Sequence, residues 1–272
     1  MRFISAIVAI YPARREAFVV PREDRNRRKR DSAASFDRAS EAYRTSDVHR
    51  KGDDLELLAA WCAEASRALD VACGAGHAGG AVADQGVSVV ACDAAPRMVR
   101  ETVEAYPVRG VVADAERLPF ADGSFDALTC RIAAHHFPDP AAFVGEAARV
   151  LEPGGVVAFE DNVAPAGIEA FLNRVERLRD PTHVRSHTEA QWREWFDESG
   201  LAVSTIRRTT RRLDFEDWVE RLDVDTETRA TLTEAFRDAP ESVREALDVD
   251  VEAGRVQSFD SPKLLLRAEK PA

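Results

Sequence analysis

Apolar runs at about 67–72, 87–92, 109–113, 125–130 and 155–160 alternate along the chain with stretches of helical period. Such alternation predicts βαβ units and a mainly parallel sheet. Asp139 and Pro140 read as N-cap and first helical residue of a helix whose apolar face is Phe143, Val144, Ala147, Val150 and Leu151, stopped by Pro153, Gly154 and Gly155. Beyond Asn162 the order changes: helices near 166–179 and 188–199, a strand near 202–209, helix across 214–248, and a last strand at "SPKLLLRAE". Ahead of the first strand, residues 35–66 read as two helices, the second with Leu55, Leu58, Trp61 and Cys62 on one face.

This pattern predicts an α/β domain spanning 35–272, with a helical lid over 35–66 and helical insertions over 163–200 and 214–254. Residues 1–34 are expected to be a basic, disordered tail or a misassigned start, because "PREDRNRRKR" carries charge without a clear period.

Charge sharpens the division. The net charge is -11, yet residues 1–30 hold nine Arg or Lys against three Asp or Glu, so the remainder is strongly acidic. An acidic body disfavours nucleic acid as substrate, since neutralising phosphates needs clustered cations. Only four of the 37 cations are Lys, which together with the acidity points to a halophilic, salt-rich cytoplasm. Cys62, Cys73, Cys92 and Cys130 lack CxxC spacing, so neither zinc nor a disulfide framework is expected. No apolar run approaches the roughly 18 residues of a membrane span.

In an open α/β sheet the ligand lies beyond the carboxyl ends of the strands, and those ends are where the chemistry collects here. "LDVACGAGHAGG" (69–80) places Asp70 in strand one and a glycine loop after it; Gly74, Gly76 and Gly79 satisfy GxGxxG. Gly74 and Gly76 allow a backbone to approach a ligand closely. Asp93 ends strand two and can accept two hydrogen bonds from ribose hydroxyls. Asp114 with Ala115 follows strand three and can present a carboxylate and an N–H to an adenine edge. Asp70 can complement an ammonium group directly or through water. Arg131, His135 and His136 follow strand four.

Together "LDVACGAGHAG", "VVACDAAPRMV", "VVADAERLPFADGSFDALTC", "HHFPDP" and "VLEPGGVVAFED" resemble the class I S-adenosylmethionine-dependent methyltransferases, in particular the methyltransferase type 11 group with small-molecule enzymes of the quinone-biosynthesis type. The resemblance covers about 35–210, with the motifs in family order. It implies a Rossmann-like, seven-stranded, mainly parallel sheet with its last strand pair antiparallel, and S-adenosyl-L-methionine as cofactor. The loop of Asp70, Ala72, Gly74 and Gly76 would then surround the methionyl part, Asp93 and Ala94 the ribose, and Met98, Asp114 and Ala115 the adenine. The Cys130–Arg131 backbone would approach the amino group, and Tyr43 in the lid would cover the methionyl end. Ala72 departs from the usual glycine, and its methyl group is expected to demand an ordinary φ.

The sulfonium carries an activated methyl, so the protein must chiefly align an acceptor and exclude water. His136 is the first candidate for taking the acceptor's proton and His183 the second; His135, Asp161 and Arg185 are candidate acceptor-site groups. His183 and His187 are four apart and would share a helix face, but no third ligand is evident and no metal is expected. "CRIA" stands after strand four in place of the Asn/Asp-Pro-Pro-aromatic tetrapeptide of many enzymes that methylate exocyclic base nitrogens. A small-molecule acceptor follows as the expectation. Trp192, Trp195, Phe196, Phe215 and Trp218 stand at helical spacing and read first as core, second as acceptor pocket. Two readings compete: an NAD(P)-dependent Rossmann oxidoreductase, for which no Tyr-xxx-Lys is present, and a non-catalytic S-adenosylmethionine-binding protein. The number of subunits is left open.

Overall fold

The computed structural model describes residues 22–45, 52–222 and 224–272, apart from the side chains of 22 and 39–45. Helix α1 (Arg22–Thr45) comes first, followed by α2 (Asp53–Trp61). The sheet then begins: β1 (Arg67–Val71), α3 (His77–Ala83), β2 (Ser88–Asp93), α4 (Pro96–Ala105), β3 (Arg109–Val112), β4 (Phe125–Arg131), α5 (Pro140–Val150) and β5 (Leu151–Asn162). Helices α6 (Glu169–Arg179) and α7 (Glu189–Glu198) lead to β6 (Ala202–Asp214). Short helices α8 (Phe215–Glu220), α9 (Thr226–Arg237) and α10 (Glu241–Ala246), and the hairpin of β7 (Asp250–Glu252) and β8 (Arg255–Glu269), complete the chain.

Among the described residues the strands form one sheet in the order β3-β2-β1-β4-β5-β8-β6, with β7 attached to β8. The first five are parallel, and β8 runs antiparallel to both β5 and β6. This is the Rossmann-like mixed sheet with an antiparallel last pair that the resemblance implies, plus the small strand β7. Strand order reverses between β1 and β4, so a crevice opens there at the carboxyl ends. β1 is buried from Ala68 to Val71, as a strand covered on both faces must be.

Local chemistry fixes the helix ends. Asp139 accepts a hydrogen bond from Ala142 N and Pro140 opens α5, whose Phe143, Val144, Ala147 and Val150 enter the core. Thr188 and Gln191 form a capping box at α7. The main core contains Leu69, Leu128, Phe143, Phe159, Trp192 and Phe196. A second core lies in the C-terminal insertion, where Phe215, Trp218, Phe236 and Phe259 pack against Leu172 and Val175 of α6.

Residues 22–34 correct the expectation of a tail: they are the first half of α1. The helix is held by side chains the charge count had assigned to solvent. Arg25 pairs with Asp139, and Lys29 Nζ lies 2.7 Å from Asp114 and 2.5 Å from Glu116. Asp37 Oδ1 accepts from Arg97 N at 2.8 Å, in the first turn of α4. Residues 1–21 lie outside the described part of the chain. Two boundaries also differ. β5 starts at Leu151, directly where α5 ends, and shifts register opposite Phe125–Ala127. β8 starts at Arg255, well before the serine that opens the expected strand.

Candidate active site

A cleft of about 310 Å³ lies at the strand-order reversal, within the size range of ligand sites. Asp70, Ala72, Gly74, Asp93, Ala94, Met98, Asp114, Ala115 and Arg131 line it, which brings most of the predicted cofactor residues to one surface. Cys130 is fully buried behind that wall. Gly76 does not line the cleft but turns the loop into α3: its φ is +82°, and a Cβ there would stand 2.5 Å from the Thr102 methyl. The side chain of Tyr43 lies outside the described residues.

The acids are committed in different ways. Asp70 Oδ1 accepts from Thr129 Oγ1 at 2.7 Å and Oδ2 from Gly79 N at 2.8 Å, so it ties β1 to the first turn of α3 and to β4. Burial pushes its pKa up to about 6, against the pull of those two donors. Asp93 Oδ2 accepts from Gly74 N at 3.0 Å and Oδ1 from Ala95 N at 2.8 Å, leaving each oxygen a lone pair for a ribose hydroxyl. Burial raises its pKa too. Asp114 Oδ1 accepts from Glu116 N, while Oδ2 accepts from Lys29 Nζ of α1.

Two backbone positions stand out. Ala72 has φ +51°, so the expectation of an ordinary φ is overturned: the loop turns through the left-handed region despite the methyl group. That conformation costs an L-residue roughly 1–2 kcal/mol. Ile132, directly after β4, has φ +52°, an outlier for a β-branched residue, and its N–H donates to Glu160 O at 2.7 Å.

Ile132, Phe36 and His136 also line a second, smaller cleft of about 100 Å³. His135, His183, Asp180, Arg179, Arg211 and Lys263 are among its other walls. His135 Nδ1 donates to Asp161 Oδ1 at 2.6 Å, and Asp161 is buried behind it rather than on the wall. Burial alone would lower the His135 pKa, but the Asp161 carboxylate outweighs it and the pKa is raised. His136, whose ring lies 4.3 Å from that of His135, is lowered to about 4 by burial and by the charge on its neighbour. Its Nδ1–H donates to Thr182 O at 3.1 Å. Burial, then His135 and His136, push His183 far below the ordinary imidazole range, and its Nε2 meets Asn173 Oδ1 at 3.0 Å.

His183 and His187 do not share a helix as expected. Both lie in the irregular stretch between α6 and α7, because Asp180-Pro181 ends the helical period. Arg185 lines neither cleft; its N–H donates to His135 O at 3.0 Å. Beneath the site an ion network crosses three strands: Arg131 reaches Asp54 of α2 at 2.5 Å and Glu160 at 2.8 Å, and Lys263 lies 3.4 Å from Glu160. Lys29, Phe36 and Lys263 were not foreseen as site residues. For α1 the signal is the spacing Arg25, Lys29, Ser32, Phe36, one helical face, hidden in a run that reads first as charge. Of the five aromatics, Trp192 and Phe196 belong to the main core, while Trp218 also lines the second cleft.

A methyltransferase-domain family matches residues 69–159, the glycine loop through β5. The uncharacterized methyltransferase YcgJ of Bacillus subtilis is 36% identical over 196 residues, 68% of this chain and 78% of its own. The chain belongs to the class I S-adenosylmethionine-dependent methyltransferases. The solved structure of YcgJ superposes with a TM-score of 0.77, covering 80% of this chain and 98% of that one. A provisionally assigned methyltransferase of Bacillus halodurans C-125, 37% identical, covers 81% of this chain and all of its own with a TM-score of 0.78. A demethylmenaquinone methyltransferase of Beutenbergia cavernae is 34% identical over 204 residues, 68% of this chain and 84% of its own. As a member of that class, this chain uses S-adenosylmethionine as its methyl donor. The cleft fits that cofactor: Asp93 ends β2, Asp114 follows β3, the loop after β1 presents glycine backbone, and among the described residues nothing stands within 4 Å of where a Cβ on Gly74 would be. No described helix is long and apolar enough to cross a membrane.

Proposed function

We propose that the enzyme methylates a small molecule seated in the second cleft, with His135 taking the proton that the acceptor loses. The observation that carries this reading is the shared lining: Phe36, Ile132 and His136 line both clefts, so the two adjoin at these residues, as direct transfer of a methyl group from a molecule in one to a molecule in the other requires. A relative named as a demethylmenaquinone methyltransferase supports a small molecule, rather than a macromolecule, as acceptor.

S-adenosylmethionine supplies an electrophilic methyl on a sulfonium centre and leaves as a neutral thioether. The chain supplies position. Asp93 and Asp114 hold the nucleoside end, the Gly74–Gly76 backbone accommodates the methionyl end, and Asp70 keeps the loop and α3 in place. Alignment of donor and acceptor, with water shut out by α1, accounts for most of the rate. His135 binds Asp161 through Nδ1, which orients the ring and leaves Nε2 to receive a proton from the acceptor. His136, neutral and fixed by Thr182, orients the acceptor at the shared wall. A reduced, cytoplasmic setting accords with four buried, free cysteines.

Calorimetric titration of S-adenosylmethionine and S-adenosylhomocysteine into wild type and Asp93→Ala tests the cofactor geometry. Micromolar affinity, weakened at least tenfold in the variant, is expected. Equal affinity in the two proteins would remove Asp93 from the site, and tight binding with no methyl transfer to any acceptor would favour a non-catalytic role.

A further inference from the structure

We propose that one buried water joins Asp161 to a second imidazole, His187, with the indole N–H of Trp192 as its third partner, and that His187 is thereby a positioning residue for His135. The inference deepens the reading of His135 as proton acceptor and rests on it.

Three side chains behind the second cleft have hydrogen-bonding capacity left over. Asp161 is 1% exposed and uses its oxygens unequally: Oδ1 accepts from His135 Nδ1 at 2.6 Å and from Asn162 N at 2.9 Å, whereas Oδ2 has no hydrogen-bond partner among the described residues. His187, 5% exposed, has none at either ring nitrogen, and Trp192, fully buried, has none at Nε1. Buried donors and acceptors are costly to leave unmade, and folded proteins complete them with protein groups or ordered water.

The three come from one region of the fold. Phe159 and Asp161 stand two apart on β5 and so share a face of the sheet. The Trp192 ring packs on Phe159 at 4.5 Å between centroids, and the His187 ring lies 5.8 Å from Trp192 and 4.7 Å from Trp195. His187 O accepts from Ala164 N at 3.0 Å, which ties its backbone to the chain three residues past Asp161. Asp161 is near enough to pull the His187 pKa upward, but burial and then the Arg185 charge prevail and lower it to about 4. His187 is therefore neutral at neutral pH, with one N–H and one lone pair.

This inventory matches a single water. Asp161 Oδ2 only accepts, Trp192 Nε1 only donates, and neutral His187 offers its lone pair. A water that donates to Oδ2 and to the imidazole while accepting from the indole makes three hydrogen bonds, the usual number for a buried water. A direct bond from His187 to Oδ2 would complete the acid but leave the indole unpaired. The Gln191 amide lies beside the His187 ring, yet its carbonyl is held by Thr188 N at 3.0 Å and Thr188 Oγ1 at 3.3 Å, and the bridge needs only one imidazole nitrogen.

His135 feels the result. A donor on Oδ2 draws off part of the carboxylate's charge, so the water limits how strongly Asp161 holds the His135 imidazolium. Glu176, Asp180, His136 and His183 are the other ionisable groups around His135, and a substitution at His187 leaves all four in place.

The test is an NMR titration of the His135 imidazole in the full-length, histidine-labelled protein saturated with S-adenosylhomocysteine, which needs no acceptor. His187→Phe keeps a flat ring that cannot hold the water, and the His135 pKa is expected to rise by about 0.5–1 unit as the carboxylate loses a donor. His187→Gln, whose amide carbonyl can accept, should keep the wild-type value. An unmoved pKa in His187→Phe, or an equal rise in both variants, overturns the bridge. S-adenosylhomocysteine affinity reports the folding of each variant. Should neither fold, a high-resolution crystal structure of the wild type decides: density within hydrogen-bonding distance of Asp161 Oδ2, His187 and Trp192 Nε1 is expected, and an empty position or a direct His187–Asp161 bond overturns it. The reading of His135 as base fails separately, if His135→Gln transfers methyl groups at the wild-type rate.

Discussion

Asp161 grips His135 through one short hydrogen bond, 2.6 Å from Oδ1 to Nδ1, in a place where both side chains are almost completely withdrawn from water. Burial by itself would keep this imidazole neutral; the carboxylate reverses that preference and raises its pKa. The imidazole can accept a proton only after losing its own. Methyl transfer should therefore rise with pH through a limb lying above the ordinary imidazole value of about 6.5. In Asp161→Asn burial prevails, and the limb should move at least about one unit toward acid with kcat falling ten- to a hundredfold, as read from the pH profile of kcat. A limb unmoved in Asp161→Asn but abolished in His136→Gln would transfer the role to His136. The same pair affects stability with a definite sign: its contribution is full below the unfolded imidazole pKa and is lost as pH rises through the raised folded value.

Asp70 works in the opposite sense. Its folded pKa of about 6 lies above the ordinary carboxyl value of about 4, so the folded, cofactor-free protein prefers the protonated acid. Between those values the native state binds more protons than the unfolded chain, and stability from this group declines as pH rises. Relative to Asp70→Asn, the wild type should lose about 2 kcal/mol between pH 4 and pH 7. Urea denaturation of both proteins across that range measures it, and parallel pH dependences would show that Asp70 is not the group responsible.

Ala72 holds a left-handed backbone with a side chain that disfavours it. Glycine relieves roughly 1–2 kcal/mol of strain but adds about 0.5–1 kcal/mol of unfolded-state freedom. Ala72→Gly should thus stabilise the protein by up to about 1 kcal/mol in thermal or urea unfolding. A loss exceeding 1 kcal/mol would mean that the methyl group makes a contact worth more than the strain.

Lys29 joins α1 to Asp114 and Glu116, and Glu116 is 6% exposed in its side chain. Lys29→Met leaves two carboxylates facing each other without their cation, at a cost of about 1–3 kcal/mol to the docked helix. Hydrogen exchange should accelerate in α1 with no change in β1 or β4. Protection of α1 as in the wild type would show that Arg25 and Asp37 suffice to hold it.

The parallel half of the fold was legible because its signals are local. β1 and β2, the glycine loop between them, and the Asp139-Pro140 helix start each occupy a few consecutive residues whose chemistry has one good structural solution. The resemblance reached most of the cofactor cleft for the same reason. Of the second cleft only the histidines, His135, His136 and His183, were legible. Lys263, Arg211, Arg179 and Phe36 come from four elements far apart in the chain, and each reads locally as an exposed charge or an ordinary apolar residue. The basic run misled more directly. Its charge masked a helical face that becomes visible only when Arg25, Lys29 and Phe36 meet the rest of the fold. Ala72 was misread because a steric preference of a few kcal/mol was treated as a prohibition, whereas a loop fixed at both ends can absorb it.

The pairing of β6 with β8 continues past the end of β5. Thr205–Arg208 lie opposite β8 residues that also pair with β5, whereas Thr210–Asp214 pair with Ser258–Pro262, where β8 has left β5 and entered the second core. One ribbon thus has an inner half clamped by neighbours on both sides and an outer half answerable only to the insertion it carries. The two halves age differently under mutation. Arg211 and Leu213 of the outer half line the second cleft and not the first, so changes there can reshape the proposed acceptor site while the cofactor cleft keeps its walls.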